Sequence, residues 1–264
     1  MRRPDFLIIG AQRAGTTSLF EDLRQHPAIC LPAKKELHFF DVQLRRGAEW
    51  YFHQFPPASC AVPSGRSLTG EATPYYLFHP KAAERCFALV PDVRLIILLR
   101  NPVDRAHSHY EHAVSTGRES LSFEDALQAE EERLRDSLAI LEADANSVSR
   151  SHRLYSYASR GIYVDQLARW TRLFPPERML LLCSEELFQD PEKQHAKLYR
   201  FLGIPPMMPS FSRLNRGSYP KMSSDTRRRL IQFFEPHNAR LYELLRNSCL
   251  ALEDPPTFSS FWDC

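Results

Sequence analysis

The chain reads as an α/β protein in three layers, a central parallel sheet flanked by helices and carrying a helical insertion. Three observations support that reading. A strand, a glycine turn and a helix start follow one another in DFLIIGAQRAGTTS, Asp5 to Ser18. A second continuous apolar run, VRLIILL at Val93 to Leu99, is β-branched and leucine-rich, as parallel strands covered on both faces are. Shorter apolar runs alternate with helical patterns along the rest of the chain. That is the outline of a doubly wound sheet, whose ligands sit beyond the carboxyl ends of the strands.

Taken in order, Phe6 to Ile9 is a buried strand, Gly10 and Gly15 free the backbone, and Thr16, Thr17 and Ser18 open a helix. Ala28 to Leu31 is a short strand candidate, Ala48 to Phe55 a helix, and Ser67 to Thr73 a strand ending in polar residues. Lys81 to Leu89 is helical, and a helix from about Val103 follows the Val93 to Leu99 strand. From Ser122, with Asp125 as its capping-box partner, to about Leu141 the chain turns charged and helical. Arg150 to Arg160 is basic and aromatic without a clear period, so about 115–160 is the expected insertion or lid over a single domain spanning 1–264. Tyr163 to Phe174 is an amphipathic helix, Met179 to Cys183 a strand, and Pro191 to Leu202 a helix stopped by Gly203 and Pro205. Ser224 to Leu245 closes the chain as a helical stretch interrupted at Pro236.

Composition narrows the function classes. With 264 residues, 43% hydrophobic and 25% charged, the chain can bury one full core. Its formal net charge of +2 gives no reason to expect a nucleic-acid binder, which would need a basic stripe and a domain pI above about 9. Six cysteines, Cys30, Cys60, Cys86, Cys183, Cys249 and Cys264, form no C-x-x-C pair, so neither zinc nor a disulfide scaffold is expected and reduced thiols are. The first strand begins directly after Arg2 and Arg3, leaving no room for a signal peptide, and no apolar run is long enough to span a bilayer. A cytoplasmic protein is expected.

The opening turn is suited to a phosphate. Gly10-x-x-x-x-Gly15 has the spacing of a nucleotide P-loop, which makes the fold P-loop-like, and the unpaired N–H groups of the following helix favour an anion. Yet Thr16 stands where a kinase or GTPase loop carries its phosphate-binding lysine, and Thr17 falls at the magnesium-binding position. Beyond the second strong strand, LLRNPVDRAHSHY places Arg100 directly after the strand and Ser108 two turns into a helix. A guanidinium fork and a hydroxyl there suit a second phosphate, though a surface arginine beside a solvated serine would read the same. In KKELHFFD, Lys34 to Asp41, an extended backbone would set Glu36 and His38 on one face, a carboxylate beside an imidazole as general-base chemistry needs. A surface strand edge with Phe39 or Phe40 in the core is the bland alternative.

Together these segments resemble the sulfotransferases that use 3′-phosphoadenosine 5′-phosphosulfate (PAPS), in particular the bacterial sulfotransferases and the heparan sulfate N- and 3-O-sulfotransferase domains. The matching stretches are IIGAQRAGTTSL with His26-Pro27, KELHFFD, GEATPYY, LIILLRNPVDRAHSHY, GIYVDQLARW with Phe174-Pro175, FLG at Phe201, and RGSYPKM near the end. The resemblance implies that Arg13, Ala14, Gly15, Thr16, Thr17 and Ser18 wrap the 5′-phosphosulfate and that Arg100 and Ser108 bind the 3′-phosphate. It further implies that the loop at Arg216, Gly217 and Ser218 closes over the 3′-phosphate and adenosine. Glu36 aligns with the family's catalytic glutamate, with His38 orienting it or standing in as base, and Arg13 would stabilise charge on the leaving phosphate. Lys35, Asp41 and Tyr75 are acceptor contacts on this reading. The product would be PAP, and no metal is expected, because a sulfuryl group carries less negative charge than a phosphoryl and fixed cations with N–H donors can suffice.

The acceptor class left by this reading is a small-molecule, lipid or carbohydrate hydroxyl, or an amine. Two departures bear on it. Arg13 stands where the heparan enzymes carry lysine, and a permanent guanidinium is a poor proton donor. Ala72 stands where the 3-O enzymes carry a lysine, which makes a heparan-like acceptor less expected. The competing readings are a P-loop phosphotransferase of the kinase type, which the absent Gly-Lys-Ser/Thr ending opposes, and a non-catalytic nucleotide-binding protein of the same fold.

Overall fold

The protein is described from a computed structural model covering residues 1–57, 67–210, 220–248 and 262. Among the described residues four parallel strands form the sheet: β1 (Phe6–Gly10), β2 (Gly70–Ala72), β3 (Arg94–Leu99) and β4 (Met179–Cys183), in the spatial order β2-β1-β3-β4. All residues of β1, β2 and β4 are buried, the pattern of strands covered on both faces. The register runs Phe6 opposite both Gly70 and Arg94, and Leu95 opposite Met179. Because the chain leaves β1 toward β2 on one side and returns to β3 on the other, the strand order reverses between β1 and β3. Their carboxyl ends are therefore the crevice where such sheets bind ligands.

Helices flank this sheet. In chain order they are α1 (Thr16–Arg24), α2 (Gly47–Phe52), α3 (Ala82–Leu89), α4 (Pro102–Ser115), α5 (Phe123–Gln128), α6 (Glu130–Leu134), α7 (Ser137–Ala143), α8 (Arg150–Leu154), α9 (Tyr163–Thr171), α10 (Ser184–Gln189), α11 (Pro191–Leu202) and α12 (Ser224–Asn247). α1 packs on β1 and β2, α10 and α11 on β4, and α12 against α9 and α4. The main core joins Phe6 to Ile9, Leu95 to Leu99 and Met179 to Cys183 with Leu19, Phe20, Tyr76, Leu167 and Trp170. α4 starts well for local reasons: the Asn101 side chain accepts from the N–H groups of Val103 and Asp104, and Pro102 occupies the first turn. Among the described residues no helix is long and apolar enough to cross a membrane.

Several sequence expectations are corrected. Ala28 to Leu31 forms one bridge, Ile29 to Leu68, rather than a strand, because Pro27 and Pro32 flank it and neither can donate to a ladder. The expected strand Ser67 to Thr73 shortens to β2, which pairs with β1 only from Gly70 to Ala72. The helical stretch from Ser122 to Leu141 is broken into α5, α6 and part of α7, although its Ser122 cap accepts from the Asp125 N–H as expected. α12 runs through Pro236 without interruption. A proline there costs about 3 kcal/mol, which burial of Leu230, Phe234 and Leu241 on either side offsets. Cys30 is disulfide-bonded while Cys86 and Cys183 are free, so the expectation of uniformly reduced thiols fails, because spacing says nothing of which thiols meet in space. Disulfides persist in oxidising surroundings, and the cytoplasmic expectation loses its cysteine argument.

The insertion after α4 is held by buried carboxylates more than by apolar packing. Glu119 accepts from Arg133 Nη1 at 2.5 Å and from the Tyr157 hydroxyl at 2.9 Å. Glu130 accepts the N–H groups of Ala158 and Ser159 at 2.7 and 2.8 Å. Arg160, 1% exposed, donates to the carbonyls of His152 and Arg153 at 2.9 Å and to Gln12 Oε1 in the loop after β1. The insertion is thus tied to the sheet's carboxyl edge.

Candidate active site at the carboxyl edge of the sheet

The loop 11–15 leaves β1 with the Ala11 N–H donating to the Leu98 carbonyl at 2.6 Å and reaches α1 through Gly15 at φ +97°. That conformation favours glycine, and a Cβ there would also meet the Phe188 ring at 2.9 Å. α1 starts with no side-chain cap and no acidic residue in its first turn, so its leading N–H groups and the positive end of its dipole are available to an anion. Arg13 holds a positive φ of 69°, unusual for a non-glycine residue. From there its Nε donates to Ser108 Oγ on α4 at 3.1 Å, and its carbonyl accepts from Arg100 Nη1 at 3.0 Å. Tyr163 in turn donates to the Arg100 carbonyl at 2.9 Å. Arg13, Arg100 and Ser108, expected from two separate segments, therefore meet beside the start of α1.

The segment carrying Glu36, His38 and Asp41 is not the extended strand expected. His38 sits at φ +55°, which turns the backbone and still brings its ring onto Glu36. Its Nε2 lies 3.0 Å from Glu36 Oε2 and its Nδ1 2.7 Å from Asp41 Oδ2, and Asp41 also accepts the Val42 N–H at 2.6 Å. Burial disfavours a charged ring, but hydrogen bonds and charge from Asp41 and Glu36 outweigh it and raise the His38 pKa to about 9. Burial likewise works to raise Glu36, but the His38 hydrogen bond and the Lys35 and His38 charges hold it below the usual carboxylate value. At neutral pH the ring is an imidazolium that bridges Glu36 and Asp41.

Lys35 links Glu36 to the phosphate loop. Its Nζ donates to Thr17 Oγ1 at 3.2 Å and to Glu36 Oε1 at 3.3 Å. The lysine absent from the loop's own sequence thus arrives in space from the next segment.

Beneath His38 lies a network that the sequence reading missed. Glu71, 1% exposed in the middle of β2, accepts from Tyr51 and Tyr76 at 3.1 and 2.7 Å and from Thr73 at 2.6 Å. Burial raises its pKa despite these three donors. The Thr73 oxygen accepts the His38 N–H at 3.3 Å and the Tyr76 oxygen accepts the Phe39 N–H at 2.8 Å. One buried carboxylate orients two hydroxyls toward consecutive amides of the turn that carries the imidazole.

A cavity of about 490 Å³ opens over Glu36 and His38, lined also by Gln12, Tyr75, Arg118 and Arg153. Tyr75 lies in its wall with its hydroxyl 2.7 Å from His152 Nδ1. Asp41 is buried behind His38, 3% exposed, and Lys35 sits between Thr17 and Glu36. Arg216, Gly217 and Ser218 lie outside the described residues. Of the insertion residues, Tyr157 is buried against Glu119, and Arg160 lies in the cavity lining with its guanidinium bound to backbone carbonyls. Arg153 was not singled out from the sequence, because a basic aperiodic stretch does not reveal which side chain turns inward.

Comparison with known proteins shows the family to which the chain belongs. Residues 3–234 match the sulfotransferase domain family. A crystal structure of a sulfotransferase from Alicyclobacillus acidocaldarius is similar, with a TM-score of 0.78 and 34% identity over 95% of this chain and 99% of that one. The membrane-associated sulfotransferase kil1 of Dictyostelium discoideum is 25% identical over 92% of this chain. The bifunctional heparan sulfate N-deacetylase/N-sulfotransferase 1 of Caenorhabditis elegans is 30% identical over 94% of it. The chain spans 65% and 30% of the lengths of these two relatives.

Proposed function

The chain belongs to the sulfotransferase family, enzymes of PAPS-dependent sulfuryl transfer, and from that premise we propose the acceptor class and the role of each residue. The residues present suit the donor. An uncapped helix start without an acid in its first turn, joined by the Arg13 and Arg100 guanidiniums, is a receptor for anions at two points. PAPS, when bound, supplies the sulfuryl group. Arg13 and the N–H groups of Ala14, Gly15, Thr16, Thr17 and Ser18 hold the 5′-phosphosulfate and the charge that develops on the departing phosphate. Arg100 and Ser108 hold the 3′-phosphate, with the segment at Arg216, Gly217 and Ser218 assigned to close over it.

Glu36 takes the acceptor's proton. The acceptor oxygen, or an amine nitrogen, forms its bond to sulfur as the bond from sulfur to the 5′-phosphate oxygen breaks, and that electron pair departs with PAP. His38 keeps Glu36 ionised and aimed, Asp41 holds the ring, and Lys35 places its charge between the base and the phosphate loop. The insertion at about 115–160 forms the roof of the acceptor cavity in a single sulfotransferase domain, with Tyr75 in the wall. A carbohydrate hydroxyl or amine is the favoured acceptor, since the C. elegans relative is named for heparan sulfate.

The observation that carries this reading is the Glu36, His38, Asp41 chain joined through Lys35 to the phosphate loop. Transfer of labelled sulfate from PAPS to an acceptor panel, with and without a chelator, tests it. Transfer that resists the chelator and collapses in Glu36→Ala is expected. No transfer by the wild type, undiminished transfer by Glu36→Ala, or magnesium-dependent phosphoryl transfer from ATP would remove it.

A further inference from the structure

Besides Arg160, whose guanidinium is spent on backbone carbonyls and Gln12, the insertion brings three arginines, Arg118, Arg150 and Arg153, to the lining of the cavity above Glu36. Among the described residues none of the three has a carboxylate partner. Arg118 and Arg150 are exposed at the mouth, where water can solvate them. Arg153 is different: it is half-buried, and the hydrogen-bond partner of its guanidinium is His38 Nε2, at 3.2 Å. That same nitrogen meets Glu36 Oε2 at 3.0 Å, while Nδ1 is taken by Asp41. When the ring is an imidazolium donating to both carboxylates, it has no lone pair left for Arg153. A half-buried guanidinium is then pressed against another cation.

Its position is not incidental. The Arg153 carbonyl is held at 2.9 Å by Arg160, and Arg160 is buried and tied to Gln12 beside the phosphate loop. Among the described residues, the lining of the cavity holds four arginines and one carboxylate, Glu36, which His38 and Lys35 already neutralise. A half-buried cation without a counter-charge is costly, and an anionic group entering the cavity removes that cost.

We propose that the acceptor carries an anionic group, a carboxylate or a sulfate or phosphate ester, which binds Arg153, with Arg150 and Arg118 drawing it into the mouth. Because Arg153 and Glu36 converge on one ring nitrogen, the anion and the attacked hydroxyl or amine lie only a few bonds apart on the acceptor. The inference rests on the sulfotransferase reading, in which Glu36 takes the acceptor's proton.

The test compares matched acceptors, 4-nitrophenyl β-D-glucuronide and 4-nitrophenyl β-D-glucoside, with a glucoside 6-phosphate and 6-sulfate as the ester arms. The wild type should prefer at least one charged member over the neutral one by about tenfold or more in kcat/KM, the size expected for a charge-assisted fork. In Arg153→Ala that ratio should fall toward one through the KM of the charged acceptor, and Arg153→Lys should recover part of it. Parity in the wild type, or a preference that survives Arg153→Ala, overturns the proposal. If no acceptor turns over, equilibrium binding of the same set, with and without PAP, decides. Charged members binding selectively, and not to Arg153→Ala, support it; no selectivity, or no binding of any member, overturns it. Failure of the wild type to bind PAP would instead defeat the sulfotransferase reading, while the comparison without PAP still judges the anion site.

Discussion

Arg13 on the phosphate loop donates from Nε to Ser108 Oγ on α4 at 3.1 Å, joining positions 95 residues apart in the chain. The contact spans the gap between β1 and β3, where the sheet reverses its order, and joins the two residues proposed to bind the donor's two phosphate ends. Arg13→Ala and Ser108→Ala are each expected to weaken PAP binding about tenfold or more, as lost hydrogen bonds to a charged group do. The double variant should lose less than the two losses combined, since the residues act through a shared bond. Titration calorimetry with PAP measures all four corners of the cycle, and strictly additive losses would show the contact to be irrelevant.

Glu36→Gln keeps the shape of the side chain and removes its basicity. We expect kcat to fall by about 10²- to 10⁴-fold, the usual contribution of a positioned base, with the KM for PAPS changed only slightly. Steady-state kinetics checks this, and a loss confined to the KM for PAPS would assign Glu36 to the donor instead.

The His38 ring sets both limbs of the pH profile. With its pKa raised to about 9 and that of Glu36 lowered, kcat/KM should stay flat across neutral pH and change near pH 9, where the imidazolium loses its proton. His38→Asn removes a cause that lowers the Glu36 pKa, so the acid limb should move upward and the alkaline limb should vanish. Stability follows the same sign. A group whose pKa rises from 6.5 to about 9 on folding contributes fully below about pH 6.5, and that contribution disappears as pH rises through about 9. Urea unfolding of wild type and His38→Asn at about pH 6 and 9.5 should show the gap closing at the higher pH.

Glu71→Gln replaces an acceptor that serves three hydroxyls with an amide whose nitrogen can accept from none of them. One donor is left unsatisfied in the core, which should lower stability by about 1–3 kcal/mol. Glu71→Ala should cost more by opening a cavity as well. If the network also holds the His38 turn, Glu71→Gln will shift the alkaline limb of the activity profile, a change that lost stability alone would not produce.

Much of the site was legible because it lies in contiguous segments. The glycine spacing, the charge at the end of β3 and the cluster from Lys34 to Asp41 are local patterns, and the ordered set resembled one family along most of the chain. What was not legible depended on backbone turns or on distance. The pairing of Glu36 with His38 was expected from an extended strand, whereas it comes from a left-handed residue at His38. Glu71 looked like a polar strand ending, since only a folded core shows three hydroxyls converging on it. In the insertion, Tyr157 and Arg160 are spent on internal bonds, to Glu119 and to backbone carbonyls, while Arg153 reaches His38.

The amino-acid sequence by itself determined the parallel sheet, the phosphate loop and the family, because apolar runs, glycine positions and helix starts are written in neighbouring residues. Only the tertiary structure decided how charge is arranged at the reacting edge. Lys35 takes up a place beside Thr17, Asp41 holds the ring that keeps Glu36 ionised, and Arg153 arrives from an insertion more than a hundred residues downstream. Coulomb energy falls with distance through space and not along the chain, so those partnerships exist only once the strands are in order.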